Sequence, residues 1–148
     1  KREPIAKRRT GFAIGADVCA RSGAGRLGVL DASECPPTYR TDPEMVQGII
    51  AGGREALVRS IEGAEDHQED GKKAIREKRI SGKDVVLGIS AAGTALFVLG
   101  ALEQAKHAGA TTGLLICNES GKPDFVDHLI NWEHVAELYG EGQLKEVA

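Results

Sequence analysis

The sequence predicts an α/β protein, a three-layer αβα sandwich on a mainly parallel sheet. Three observations lead there. Apolar runs of strand length alternate with longer segments of helical periodicity. The clearest run, Asp84-Val-Val-Leu-Gly-Ile89, is apolar on consecutive residues, the pattern of a strand covered on both faces. Glycine is frequent (19 of 148 residues) and aromatics make up only 4%, so packing must rest on Leu, Val, Ile and Ala and on close approach of helix to sheet. A chain of this length is expected to form one domain, 11–148, preceded by a basic, flexible terminus over 1–10. There is no internal repeat, and no internal domain boundary is visible.

Taken in order, Phe12–Val18 reads as a short strand and Ser22-Gly-Ala-Gly25 as a glycine-rich turn. Arg26–Glu34 reads as a short helix with Leu27 and Leu30 on one face, stopped by Pro36 and Pro37, which lack the N–H that a helix needs. Val46–Ala51 is a second strand, closed by Gly52-Gly53, and Arg54–Glu62 has Leu57, Val58 and Ile61 at helical spacing. Ala64–Lys78 is a charged, exposed helix broken near Gly71. After the strand over Asp84–Ile89 comes a second small-residue turn, Ser90-Ala-Ala-Gly-Thr94. Ala95–His107 is a helix with Leu96, Leu99, Leu102 and Ala105 along one side, capped by Gly109. Thr111–Cys117 is a further strand. A strand near Leu129-Ile130 and a short helix around Val135–Tyr139 complete the chain.

The formal charge of −3 and pI of about 5.8 argue against a nucleic-acid surface, although Lys1, Arg2, Lys7, Arg8 and Arg9 cluster at the start. Cys19, Cys35 and Cys117 are odd in number and far apart, which fits a reducing compartment better than a disulfide framework. No apolar run approaches membrane-spanning length and no signal peptide is visible, so a cytoplasmic protein with no membrane partner is expected. His67, His107, His128 and His134 lack metal-ligand spacing, so no metal is expected. Cys35 reads as an inert thiol and Trp132 as a packing anchor.

In a parallel sheet, ligands bind beyond the carboxyl ends of the strands, where loops lead into helices. The two loops Ser22–Gly25 and Ser90–Thr94 fit that place. Small residues let backbone N–H groups approach an anion, the helix N-terminus adds its dipole, and Ser and Thr add hydroxyls. A phosphate is the natural guest, and the competing reading is a tight strand-to-helix turn with Ser and Thr as N-caps. Gly23-Ala-Gly25-Arg-Leu-Gly28 matches GxGxxG, but the second strand ends in Gly52-Gly53-Arg54 without the acidic residue a dinucleotide ribose needs.

Arg26-Leu-Gly-Val-Leu-Asp-Ala-Ser-Glu-Cys-Pro-Pro-Thr38, Gly48-Ile-Ile-Ala-Gly-Gly53 and Ser60-Ile-Glu-Gly-Ala-Glu-Asp66 form a distinctive set. Together they resemble the N-acetylmuramic acid 6-phosphate etherases, members of the sugar isomerase (SIS) fold group, and the related glucokinase regulatory proteins share parts of the pattern. The resemblance is dense from Gly25 to Asp66. It continues more loosely through Gly88–Gly93 and Val98–Leu102 to Cys117-Asn118.

That resemblance implies an SIS domain, whole or incomplete, that forms homodimers. The family cleaves the D-lactyl ether of an amino-sugar phosphate, N-acetylmuramic acid 6-phosphate, in cell-wall recycling and needs no metal or redox cofactor. Its acidic residues fall on Glu34, in "SECPPT", and Glu65, in "EGAED". Removal of the C2 proton of the ring-opened sugar lets lactate leave C3, and water then adds. Such a reaction needs a base, and an acid under the departing oxygen. Glu34 looks like the acid and Glu65 like the second acid/base group. Ser22, Gly25, Arg26, Ser90, Gly93 and Thr94 are the expected phosphate-binding residues.

The loops depart from the family. Gly23 and Ala24 stand where it usually has Thr and Ser, and Ala91-Ala-Gly-Thr-Ala-Leu96 replaces Ala-Ser-Gly-Arg-Thr-Pro. A non-catalytic sugar-phosphate binding module, or an inactive remnant, is therefore the alternative expectation.

Overall fold

The short apolar runs assemble side by side in one direction. In the computed structural model, which describes residues 12–15, 24–117, 122–131, 135 and 137, they form a five-stranded sheet. The strands are β1 (Phe12–Gly15), β2 (Gln47–Ile50), β3 (Val85–Ile89), β4 (Thr111–Ile116) and β5 (His128–Asn131). Their spatial order is β2-β1-β3-β4-β5, and every neighbouring pair is parallel. The predicted α/β class and parallel sheet are therefore present, with strand ends within a residue or two of expectation where they are described.

Helix α1 (Ala24–Tyr39) corrects the expected stop at the prolines, for it runs through Pro36 and Pro37. Proline's fixed φ is already helical, and what each proline loses is an N–H bond to the residue four earlier, here Ala32 and Ser33 near the helix end. Side chains serve neighbouring carbonyls: Ser33 Oγ donates to Leu30 O at 2.7 Å and Cys35 Sγ to Asp31 O at 3.3 Å. The chain leaves the helix at Arg40, whose φ of 54° is in the left-handed region that terminates helices. Ala24 and Gly25, expected in a turn, are the first residues of α1, and Ser22 and Gly23 lie outside the described residues.

Two further helical expectations change. Arg54–Glu62 is not an α-helix. After Gly52-Gly53 there is one 3₁₀ turn, Gly53–Leu57, and Val58 is 82% exposed. Helical spacing without a surface to bury against does not sustain a short helix. Ala64–Lys78 divides earlier than expected, into a 3₁₀ turn at Ala64–Asp66 and helix α2 (Gln68–Glu77), which passes unbroken through Gly71. Gly71 is a contact point instead: a Cβ there would strike the Phe97 carbonyl oxygen of helix α3 (Leu96–His107).

The buried face of α3 also differs from the expected leucine stripe. Leu96 is 44% exposed and Leu99 only partly buried, whereas Phe97, Val98, Ala101, Leu102 and Ala105 are buried. This broader face arises because α3 packs on both the sheet and α2. Gly109, at φ 85°, follows its end as predicted.

The register places the helices in layers. Gly48 aligns through Ala13 with Leu87, whereas Gly88 aligns with Ile14 and Ile49, one residue along. A Cβ on Gly48 would lie 2.6 Å from Val29 Cα of α1, and one on Gly88 would lie 2.6 Å from Val98 Cγ1 of α3. Successive strand residues point to opposite faces, so α1 covers one face and α3, with α2, the other. The core lies on the α3 side, where Ile75, Val86, Val98, Leu102, Leu114, Ile116 and Val126 are all but inaccessible. On the α1 side Leu87, Ile89 and Leu115 are only partly covered. Val135 and Glu137 are helical. The remainder of the expected helix over Val135–Tyr139, and the basic terminus over 1–10, lie outside the described residues.

Candidate functional site

The strand order creates a crevice. From β1 the chain passes through α1 to β2 on one side, and from β3 through α3 to β4 on the other and across the opposite face. The two helices diverge from the carboxyl ends of adjacent strands β1 and β3, the topological switch point at which open parallel sheets bind ligands. The small-residue loop Ser90–Thr94 leads away from this point, and of the other, Ser22–Gly25, the described residues Ala24 and Gly25 open α1.

The second loop is better defined. Ser90, 1% exposed, donates its N–H to Leu115 O at 3.0 Å, and its Oγ accepts the N–H of Gly93 at 3.1 Å. Gly93 has φ 74°, accessible at little cost to glycine alone. Ala91 O accepts the N–H of Cys117 at 3.0 Å, which ties the loop to the end of β4. Thr94 is exposed, and the N-cap residue Ala95 makes no side-chain capping bond at the start of α3, which follows this loop. From the first loop, Gly25 is buried in the opening turn of α1, close to the sheet.

Between α1 and the ends of β3 and β4 is a cavity of about 400 Å³, lined by Ala24, Leu27, Gly28 and Asp31 on the helix and by Ile89, Ala91, Leu115 and Cys117 on the sheet side. Asp31 is its one charged lining residue among the described residues. Ala24, Gly28 and Asp31 recur at helical intervals along α1, with Asp31 exposed at the cavity edge.

Arg26 is on the other flank of α1. Its Nε donates to Leu57 O at 3.4 Å and its Nη2 to Arg59 O at 3.1 Å. No sequence signal announces these contacts, which span 31 and 33 residues. Glu34 is exposed, eight residues beyond Arg26 on the same helix, and Glu65 is half-buried in the 3₁₀ turn that precedes α2. That turn begins at Gly63, at φ 73°, and contacts α3. Neither glutamate has a hydrogen-bond or salt-bridge partner among the described residues.

His67, His107 and His128 are exposed and His134 lies outside the described residues; among the described residues no group of three or more His, Cys, Asp or Glu is placed to hold a metal ion. Cys19 and Trp132 likewise fall outside them. No helix among the described residues is long and apolar enough to cross a membrane.

A parallel sheet of order 2-1-3-4-5 with a small-residue loop at its switch point defines a doubly wound α/β domain of the ligand-binding kind. The particular group follows from comparison with known proteins. Residues 7–106 match the glucokinase regulatory protein N-terminal SIS domain, and the chain belongs to that family. It is also similar to proteins named N-acetylmuramic acid 6-phosphate etherase. It is 62% identical to that of Crocosphaera subtropica over 94 residues, covering 64% of this chain and 31% of the relative. It is 61% identical to that of Synechococcus elongatus over the same length and shares. With the Clostridium acetobutylicum protein the identity is 59% over 83 residues, 56% of this chain and 28% of the relative. The chain thus spans about a third of the length of these relatives.

Proposed function

We propose that this chain supplies the SIS domain of a carbon–oxygen lyase that cleaves the D-lactyl ether of N-acetylmuramic acid 6-phosphate, giving N-acetylglucosamine 6-phosphate and D-lactate. The observation that carries the proposal is the 62% identity over 94 residues to a protein named for that activity. The switch-point crevice supports it, because the small-residue loop Ser90–Thr94 and the start of α3, without a side-chain cap, suit a sugar phosphate. Ser22, Gly25, Ser90, Gly93 and Thr94 are the proposed phosphate contacts.

Glu34 and Glu65 carry the acid/base work in this reading. One carboxylate takes the C2 proton, and the C3–O bond breaks as lactate departs with a proton from the other. Water then adds to the resulting double bond, with the proton roles reversed. The same reading has residues 11–148 acting as one domain, in a homodimer, in the cytoplasm. Leu30, 55% exposed on α1, is the surface residue we assign to the partner copy.

A second reading rests on a specific observation. Ala91 and Ala92 bring no hydroxyl to the second loop, and the Oγ of Ser90 already accepts from Gly93. A domain that binds sugar phosphates without turnover would tolerate both. Calorimetric titration with N-acetylglucosamine 6-phosphate, paired with an assay for D-lactate, tests the two: binding with turnover supports the lyase and binding without it the module. No binding and no turnover rejects both.

A further inference from the structure

We propose that Arg26 is a positioning residue, which holds the loop leading to Glu65 against the helix that carries Glu34, and not a ligand of the sugar phosphate. The inference rests on the acid/base reading of those two glutamates.

The guanidinium is a rigid fork, suited to holding two acceptors at once. Here Nε donates to Leu57 O at 3.4 Å and Nη2 to Arg59 O at 3.1 Å, the carbonyls of the last residue of the first 3₁₀ turn and of the stretch that follows it toward the second. That stretch has little else to fix it. Val58 is 82% exposed, and Leu57 and Ile61, each 36% exposed, pack within this surface segment and beside Gly52. Its backbone bonds are local: the N–H groups of Val58 and Arg59 both go to Glu55 O, and Ala64 N reaches Ile61 O at 3.5 Å. Arg26 is therefore a long-range tie from this segment to α1.

Position supports the same role. Arg26 lines the groove on the Leu57 side of α1, with Val29, Leu30 and Ser33, and does not line the cavity at the ends of β3 and β4. Glu34 follows on the same helix about 12 Å further along at the helical rise, and Glu65 follows Arg59 by six residues. The fork thus stands on the short path that sets one carboxylate relative to the other.

The test compares purified wild-type protein with Arg26→Ala and Arg26→Lys by hydrogen–deuterium exchange, calorimetry with N-acetylglucosamine 6-phosphate, and steady-state D-lactate release. In Arg26→Ala, exchange over residues 53–66 should rise about tenfold while β3, α3 and β4 stay protected. Affinity for the sugar phosphate should stay within about threefold of wild type, and kcat should fall about 100-fold at little-changed KM. Arg26→Lys should restore part of the protection, since an ammonium can reach one carbonyl but lacks the fork. Unchanged exchange over 53–66 overturns the proposal, as does a large loss of affinity with exchange unaffected, the result of a phosphate ligand. If Arg26→Ala fails to fold, Arg26→Lys carries the comparison. A wild type without lactate release refutes the acid/base reading, and the exchange data still judge the tie itself.

Discussion

Asp127 Oδ2 lies 2.9 Å from the backbone N–H of Thr112 and 3.1 Å from its hydroxyl, while Oδ1 meets the Lys106 ammonium. Thr112 is fully buried in β4 and its Oγ1 also reaches Phe125 O at 2.7 Å. One carboxylate thus fastens the start of β5 to both β4 and α3.

A pH dependence follows. The hydrogen bond from Lys106, then that from the Thr112 N–H, hold the Asp127 carboxyl at about 2, below its ordinary range. Because the folded value lies below the unfolded one of about 3.9, the stabilisation is present above about pH 4 and is lost as pH falls toward 2. Asp127→Asn should unfold at lower urea than wild type at pH 7, and the two midpoints should converge as pH approaches 2. A constant difference across that range would contradict the assignment.

The crossing of α2 and α3 makes a prediction whose sign is informative. A Cβ on Gly71 would meet the Phe97 carbonyl oxygen, and one on Gly100 the Gln68 carbonyl oxygen, both backbone atoms that cannot rotate away. Helix propensity alone favours alanine over glycine by about 1 kcal/mol. Overpacking should reverse that, so Gly71→Ala and Gly100→Ala should each destabilise by about 1–3 kcal/mol in equilibrium denaturation. Stabilisation by either would show that the helices are not in this close contact.

At the second loop, Gly93→Ala forces a residue with a Cβ to φ 74° and should lower stability by about 1–2 kcal/mol. Ser90→Ala removes the hydroxyl that shares the Gly93 N–H with Ser90 O, and should weaken N-acetylglucosamine 6-phosphate binding about tenfold in calorimetry. Unaltered affinity would exclude this loop from the phosphate site.

Leu30→Asp places a charge on the exposed side of α1 proposed to meet a second copy. Sedimentation should find a dimer for wild type and a monomer for the variant. A wild type that remains monomeric at high concentration would remove the homodimer from the account.

Much of this architecture is written in local chemistry. The run Val85–Ile89 could be recognised because a short apolar run rich in Val and Ile and bounded by turns favours a strand, and Gly52, Gly53 and Gly109 marked turns that do have positive φ. The failures came where tertiary contacts override local preference. Pro36 and Pro37 near a helix end sacrifice bonds the helix can spare, so α1 continues. Gly71 reads as a breaker, yet it is the notch that lets α3 approach. The chemistry of the site was legible only in part. Two small-residue loops pointed to the switch point, but the orientation of Asp31 toward the cavity and the grip of Arg26 on two distant carbonyls depend on how α1 is seated.

The central claim is lyase chemistry by Glu34 and Glu65, and its most direct measurement is release of D-lactate from N-acetylmuramic acid 6-phosphate by the purified protein. The account predicts turnover by wild type and a loss of at least about 100-fold in both Glu34→Gln and Glu65→Gln, with the fold intact by circular dichroism. Absence of lactate at high enzyme and substrate, or undiminished release by the two variants, would contradict it.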